Sequence, residues 1–279
     1  MTPDKPRPTE PTMTKLHPEE AAHYGREGYV VPRFALPAPR VAALRGALDE
    51  FLRRNPGVRP EKLVSAHVAG DNGEGVHGMA DFLALARDPE IVELASGAIG
   101  DDLILWGCHV FCKPAGVGYE TPWHQDGHYW PIRPLATCTV WVALEPSTRA
   151  NGCLRVIPRS HVARALHTHL HEERSDLTLN QRLAASAFDE AAAVDIELQP
   201  GQMSLHDVYM IHGANANRSA QRRTGVALRY MPSSSLFDRA LRPVDGQSGV
   251  PVNFSRRPLW LVRGVDRHGG NDFTTGHER

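Results

Sequence analysis

The chain has 279 residues, 41% of them hydrophobic and 23% charged, with a formal net charge of −1. That composition fits one large folded domain and excludes a disordered or fibrous chain. The balanced charge excludes the basic excess that a nucleic-acid or anionic-membrane surface needs, and no apolar run reaches the roughly 18 residues that span a bilayer.

Residues 1–16 are rich in Pro and Thr and read as a flexible tail; with no hydrophobic run, they fit neither a signal peptide nor an anchor. Pro18, followed by Glu19 and Glu20, starts a short helix that Gly25 or Gly28 ends. Tyr29 to Val31 reads as a short strand. Arg40 to Arg54 places Val41, Leu44, Leu48, Phe51 and Leu52 on one buried helical face. Asp88-Pro89 opens another helix, with the aspartate as cap, and Gly100 closes it. Beyond Gly100 the texture changes to short β-branched or aromatic runs: Leu103 to Cys112, Thr137 to Leu144, Leu154 to Ile157, Val194 to Leu198, Met203 to Ile211 and Gly225 to Met231. Strands without long helices between them predict an antiparallel sandwich or barrel. His161 to Ala193 is polar and reads as a helical or loop insertion. No repeat and no Gly/Ser-rich linker divides the chain, so residues 17–279 read as a single domain, a helical N-terminal layer on a β core.

Four cysteines, Cys108, Cys112, Cys138 and Cys153, form no C-x-x-C pair and are too few for a disulfide framework. They read as those of a reduced, cytoplasmic protein. The 15 histidines are more numerous than ordinary composition needs and are the candidates for chemistry.

In the segment Thr121 to Pro131, His124 and Asp126 stand two apart, so on extended backbone both side chains leave the same face. An imidazole and a carboxylate so placed can bind one metal ion; alone, the pair is a weak signal that reads more readily as a surface hydrogen-bonded pair. A histidine from a distant strand would complete a set, and His206 and His212 are the candidates. Arg223 follows His212 by eleven residues at the start of the next strand. Two histidines and one carboxylate hold iron(II) on one face and leave three positions open, the geometry of non-haem oxygenases. An arginine nearby offers a forked partner for a dicarboxylate.

With these residues in order, the sequence resembles the phytanoyl-CoA dioxygenase (PhyH) family of iron(II)- and 2-oxoglutarate-dependent oxygenases. The resemblance rests on His124-Gln-Asp-Gly-His-Tyr-Trp-Pro131, on Val140-Trp-Val-Ala-Leu144, on Asn151-Gly-Cys-Leu-Arg-Val-Ile-Pro-Arg-Ser-His161, and on His212 with its trailing Asn-Arg-Ser and Arg223. It extends from Gly28 to about Arg239. It implies a mainly β fold, a double-stranded β-helix or jelly roll with flanking N-terminal helices. It implies His124, Asp126 and His212 as the metal ligands, with no catalytic residue beyond them. It implies cosubstrate contacts from Arg223 to the distal 2-oxoglutarate carboxylate, from Trp141 and from His109. The activity implied is hydroxylation of an unactivated C–H bond of a small molecule, with dioxygen consumed and succinate and carbon dioxide released. Halogenating relatives replace the carboxylate ligand with a small residue, so Asp126 argues for oxygen transfer. The alternatives are a non-catalytic jelly-roll binding protein, which should have lost a ligand, and a cupin-like metal isomerase or hydrolase, which would have no use for Arg223.

Two positions depart from the family. Ala214 stands where a serine often helps to hold the cosubstrate, so that hydrogen bond is either missing or supplied elsewhere, by Ser204 or Lys113. Arg159 replaces the glycine of Pro-Gly-Ser-His, which suggests a different turn. Among the neighbours, His128 shares the strand parity of His124 and reads as a rival ligand or pocket residue. Arg222 should face away from Arg223, whereas Arg229 shares its parity further along. His206 reads as a support to the site or as packing. The tract His167, His169 and His171 reads as a solvated loop. Tyr129 and Trp130 read as pocket wall or rim, and Cys108 and Cys112 as inert core on the face opposite His109 and Phe111.

Overall fold

The computed structural model describes residues 15–241 and 254–277. Residues 1–14 of the expected tail lie outside the described residues. The other two are held: Leu16 is buried in the core beside Gly97, and Lys15 pairs with Glu93 at 3.2 Å.

In chain order the strands that build the two principal sheets are β1 (Tyr29–Val30), β2 (Leu63–Val64), β3 (Leu103–Lys113), β4 (Thr121–His124), β5 (Cys138–Ala143), β6 (Leu154–Val156), β7 (Val194–Ile196), β8 (Met203–Asp207), β9 (His212–Ala214), β10 (Arg223–Pro232) and β11 (Trp260–Arg263). The larger, seven-stranded sheet runs β1-β8-β5-β10-β3-β11, with β2 also pairing to β3, and the smaller, four-stranded sheet runs β7-β6-β9-β4. Both are antiparallel throughout. The result is the expected jelly roll.

Helices α1 (Pro18–Glu27), α2 (Ala38–Arg54), α3 (Ala80–Ala86) and α4 (Pro89–Ile99) cover the outer face of the larger sheet. Leu48, Phe51, Phe82 and Leu94 interlock there with Leu105, Val110, Val140 and Leu228 in one buried cluster. Burying each such side chain contributes about 1.5–3 kcal/mol. The caps follow the sequence. Asp88 accepts from the amides of Glu90 and Ile91 at 2.9 and 3.2 Å. α1 ends at Gly28, where φ is 84° and a Cβ would lie 2.2 Å from the Met210 sulfur, so both backbone and space require glycine.

The central strands are buried on both faces, which is why they read as apolar runs rather than alternations. Their parity still sorts them. Cys108, Val110 and Cys112 join the helix-side core, whereas His109 and Phe111 face the interior of the roll. A register shift where Arg229 and Tyr230 oppose Gly107 and Leu105 marks a β-bulge in β3 at Trp106. The four cysteines are free and buried, and burial pushes the Cys108 thiol up to about 12, which fits an inert role.

Several elements differ from expectation. The predicted strand Met203 to Ile211 stops at Asp207, because the chain there leaves one sheet for the other. Of the two readings of His161 to Ala193 the loop holds: the segment forms no α-helix, pairs His169–His171 with Gln181–Leu183, and otherwise consists of turns and the short 3-10 helices Ala185–Ala187 and Glu190–Ala192. Arg159, at the position of the family's glycine, has φ 66°, the left-handed conformation that suits glycine.

Candidate active site

β4 and β9 are neighbours in the smaller sheet, and His124 and His212 are direct cross-strand partners. Opposite residues on one face of an antiparallel pair bring their side chains together, and the two imidazole rings lie 4.2 Å apart. Gln125 keeps the chain extended (φ −119°, ψ 127°) before the 3-10 turn Asp126–His128, so Asp126 leaves on the His124 side. One Asp126 oxygen lies 3.5 Å from His124 Nε2 and the other 3.9 Å from His212 Nε2. All three groups are buried, with one ligand atom from each within 4.8 Å of the others.

The protonation pattern follows from the hydrogen bonds. His124 Nδ1 meets the Pro122 carbonyl at 2.8 Å, and His212 Nδ1 meets the Met210 carbonyl at 3.0 Å. A carbonyl only accepts, so each Nδ1 carries a proton, and Nε2 is the ring nitrogen that each histidine turns toward Asp126. Burial, reinforced by the neighbouring His124, lowers His212 to about 3 and keeps it neutral. Burial opposes ionisation of Asp126, but His124, His212 and Arg229 nearby outweigh it and hold the carboxyl well below the usual range. Two imidazoles and one carboxylate, aimed at one point, are the donor set that iron(II) takes.

The loop between the ligands is pinned from behind. Gln125 is fully buried; its side-chain amide donates to the carbonyls of Ala165 and Tyr209 at 3.0 and 2.8 Å and accepts from His167 N at 2.8 Å. Its backbone N–H donates to His169 Nε2 at 3.0 Å. His169 is therefore not the solvated residue expected of its tract; burial lowers it to about 3, and it packs on His128 at 4.2 Å. The turn at Asp126 breaks the strand parity, so His128 stacks there and neither binds the metal point nor lines the cavity.

The triad opens into a cavity inside the roll. Arg223 and Trp141 line one end, with the guanidinium carbon 5.2 Å from the indole ring. The Arg223 guanidinium donates from Nε at 3.0 Å and from Nη2 to the single carbonyl of Gly152. Gly152 belongs to the Asn151-Gly motif, which thus aims the arginine. No carboxylate among the described residues lies within 4 Å of Arg223, and burial lowers it to about 10. Gly225 makes room for the indole, since a Cβ there would lie 1.9 Å from Trp141. Arg222 faces away, as its parity predicts, onto Asp49 and Glu145. His109 lines the cavity too, stacked on Phe111 at 3.9 Å, with Nε2 donating to the Glu61 carbonyl at 3.3 Å.

Neither substitute for the missing serine is in place. Lys113 Nζ is spent on the Ala214 and Asn215 carbonyls at 3.2 and 2.5 Å, and Ser204 does not line the cavity. Among the hydroxyls that do, Thr121 stands as the cross-strand partner of Ala214. His206, in β8, lines the cavity from the opposite sheet with its ring 5.0 Å from His212. At the far end stand Trp106, Tyr129, Trp130, Phe254, Arg229 and Arg257. Sequence reasoning named Tyr129 and Trp130 as wall or rim and noted the parity of Arg229. Trp106 was hidden by the bulge, and Phe254 and Arg257 lie in a tail without motif.

A jelly roll that aims two imidazoles and a carboxylate at one point, with an unneutralised arginine in the same cavity, defines a mononuclear non-haem iron oxygenase. The chain belongs to the phytanoyl-CoA dioxygenase (PhyH) family, whose family model matches residues 24–225. It is 25% identical over 235 residues to a probable phytanoyl-CoA dioxygenase of Caenorhabditis elegans, covering 77% of this chain and 75% of that protein. It is also 25% identical over 256 residues to an ectoine dioxygenase of Sphingopyxis alaskensis, covering 85% and 82%. Among solved structures, the non-heme monooxygenase ThoJ in its apo form superposes with a TM-score of 0.68 at 25% identity, over 88% of this chain and 84% of that one. The protein is an iron(II)- and 2-oxoglutarate-dependent oxygenase. No helix among the described residues is long and apolar enough to cross a membrane.

Proposed function

We propose that the enzyme hydroxylates an unactivated C–H bond of a small molecule of secondary or catabolic metabolism, within a single domain spanning residues 17–279. The observation that carries this reading is Asp126: a carboxylate, rather than a small residue, completes the triad and leaves no gap there for a halide. When bound, iron(II) and 2-oxoglutarate supply the oxidising power, with dioxygen consumed and succinate and carbon dioxide released.

The chain's own residues position and shield. His124, Asp126 and His212 hold the metal, and the fixed Nδ1 protons leave their Nε2 lone pairs no other orientation. Arg223, anchored on Gly152, offers its remaining donors to the distal carboxylate of 2-oxoglutarate, and Trp141 and His109 wall that compartment. Thr121 Oγ1 accepts from Thr178 at 3.0 Å, so its own proton is free to donate to the cosubstrate in place of the absent serine. The buried walls exclude water from the reacting carbon and hold it in place.

Anaerobic titration with iron(II) and then 2-oxoglutarate tests the reading. A weak visible charge-transfer band is expected at saturation, and its absence would count against the assignment. Thr121→Val should weaken 2-oxoglutarate binding by about 1–2 kcal/mol, roughly tenfold, while iron affinity stays near wild type. An unchanged 2-oxoglutarate affinity in that variant would remove Thr121 from the site.

A further inference from the structure

Arg229 lies six residues beyond Arg223 on the same strand and faces the same cavity. The guanidinium has five donors and no acceptor. In the described residues it makes no hydrogen bond and no ion pair, and its Nε is buried without a partner. Its neighbours are ring faces: the guanidinium carbon stands 4.9 Å from the Trp130 ring and 5.9 Å from that of Trp106. Trp106 adds a second donor-only group, since its buried Nε1 is also unpartnered. The third cavity arginine, Arg257, is neutralised by Glu74 at 2.7 Å.

Charge balance sharpens the contrast. In the loaded site, the two positive charges of iron(II) are matched by the two negative charges of 2-oxoglutarate. Asp126 and Arg223 cancel each other. Arg229 alone is left over, in a compartment where a partly desolvated cation is costly without an anion.

We infer that the substrate carries a single anionic group, a carboxylate on a compact apolar body, and that Arg229 binds it at the end of the cavity away from Arg223. Trp106, Trp130, Tyr129 and Phe254 would enclose the apolar body. A phosphate ester fits less well, because its second charge would need another free cation and Arg257 already has Glu74. This inference rests on the oxygenase reading above.

The test uses the full chain loaded anaerobically with iron(II) and 2-oxoglutarate. Its probes are a panel of small carboxylic acids with aliphatic or aromatic bodies, each paired with its primary amide. Binding is measured by calorimetry, and the charge-transfer band is recorded separately in every variant. At least one acid should bind roughly tenfold or more tighter than its amide. In Arg229→Gln that ratio should fall to near one with amide affinity kept, and Arg229→Lys should restore part of it. A panel in which no acid outbinds its amide overturns the proposal, as does a preference that survives in Arg229→Gln. Circular dichroism melts identify any variant that fails to fold, and Arg229→Lys then carries the comparison alone: full wild-type preference with a displaced charge would also overturn it. Loss of the band in wild-type protein would instead mark failure of the oxygenase reading itself.

Discussion

Replacing His212 with alanine is expected to abolish specific iron(II) binding, lowering affinity by roughly 100-fold or more. The side chain supplies one of three ligand atoms gathered within 4.8 Å, the one such set among the described residues. His206 is the informative control. Its ring is 5.0 Å from that of His212, yet it belongs to the opposite sheet and stands outside the ligand set. His206→Ala should therefore retain stoichiometric iron. Equilibrium dialysis against iron(II) under argon reads both variants, and wild-type affinity in His212→Ala would disprove the triad.

Arg223→Ala should weaken 2-oxoglutarate binding by about 2–5 kcal/mol, at least some 30-fold, because a buried carboxylate would lose its forked cation. Iron affinity should change little, since Arg223 touches Gly152 and Trp141 rather than the triad. Arg223→Lys should recover only part of the loss: a point charge cannot keep the Gly152 anchor and also present two parallel donors. Titration of the charge-transfer band gives the dissociation constants directly. If Arg223→Ala binds 2-oxoglutarate as the parent does, the cosubstrate lies elsewhere.

Much of this was legible from sequence because the chemistry sits on regular backbone. His124 and Asp126 flank one extended residue, so period-two reasoning placed them together. The same reasoning failed one step later at His128, where the strand gives way to a tight turn. It failed again for Trp106, because a bulge resets the alternation of β3 in a way no local propensity signals. The pairing of His124 with His212 was available only through family resemblance, since register between distant strands is set by global packing. His169 and Gln125 were missed for another reason: their hydrogen bonds cross some forty residues through an irregular segment whose composition suggests only exposure. Thr121 emerged only once Ala214 was seen to stand opposite it.

The two imidazoles face each other across a single rung of a hydrogen-bonded ladder, so the spacing of the metal donors derives from β-sheet geometry itself. Segments that hang from the roll at its rim away from the ligand loop, such as the stretch around Phe254, can lengthen, shorten or change composition without altering that spacing. A lineage can thus explore new substrates at the periphery while its reactive centre stays in tune.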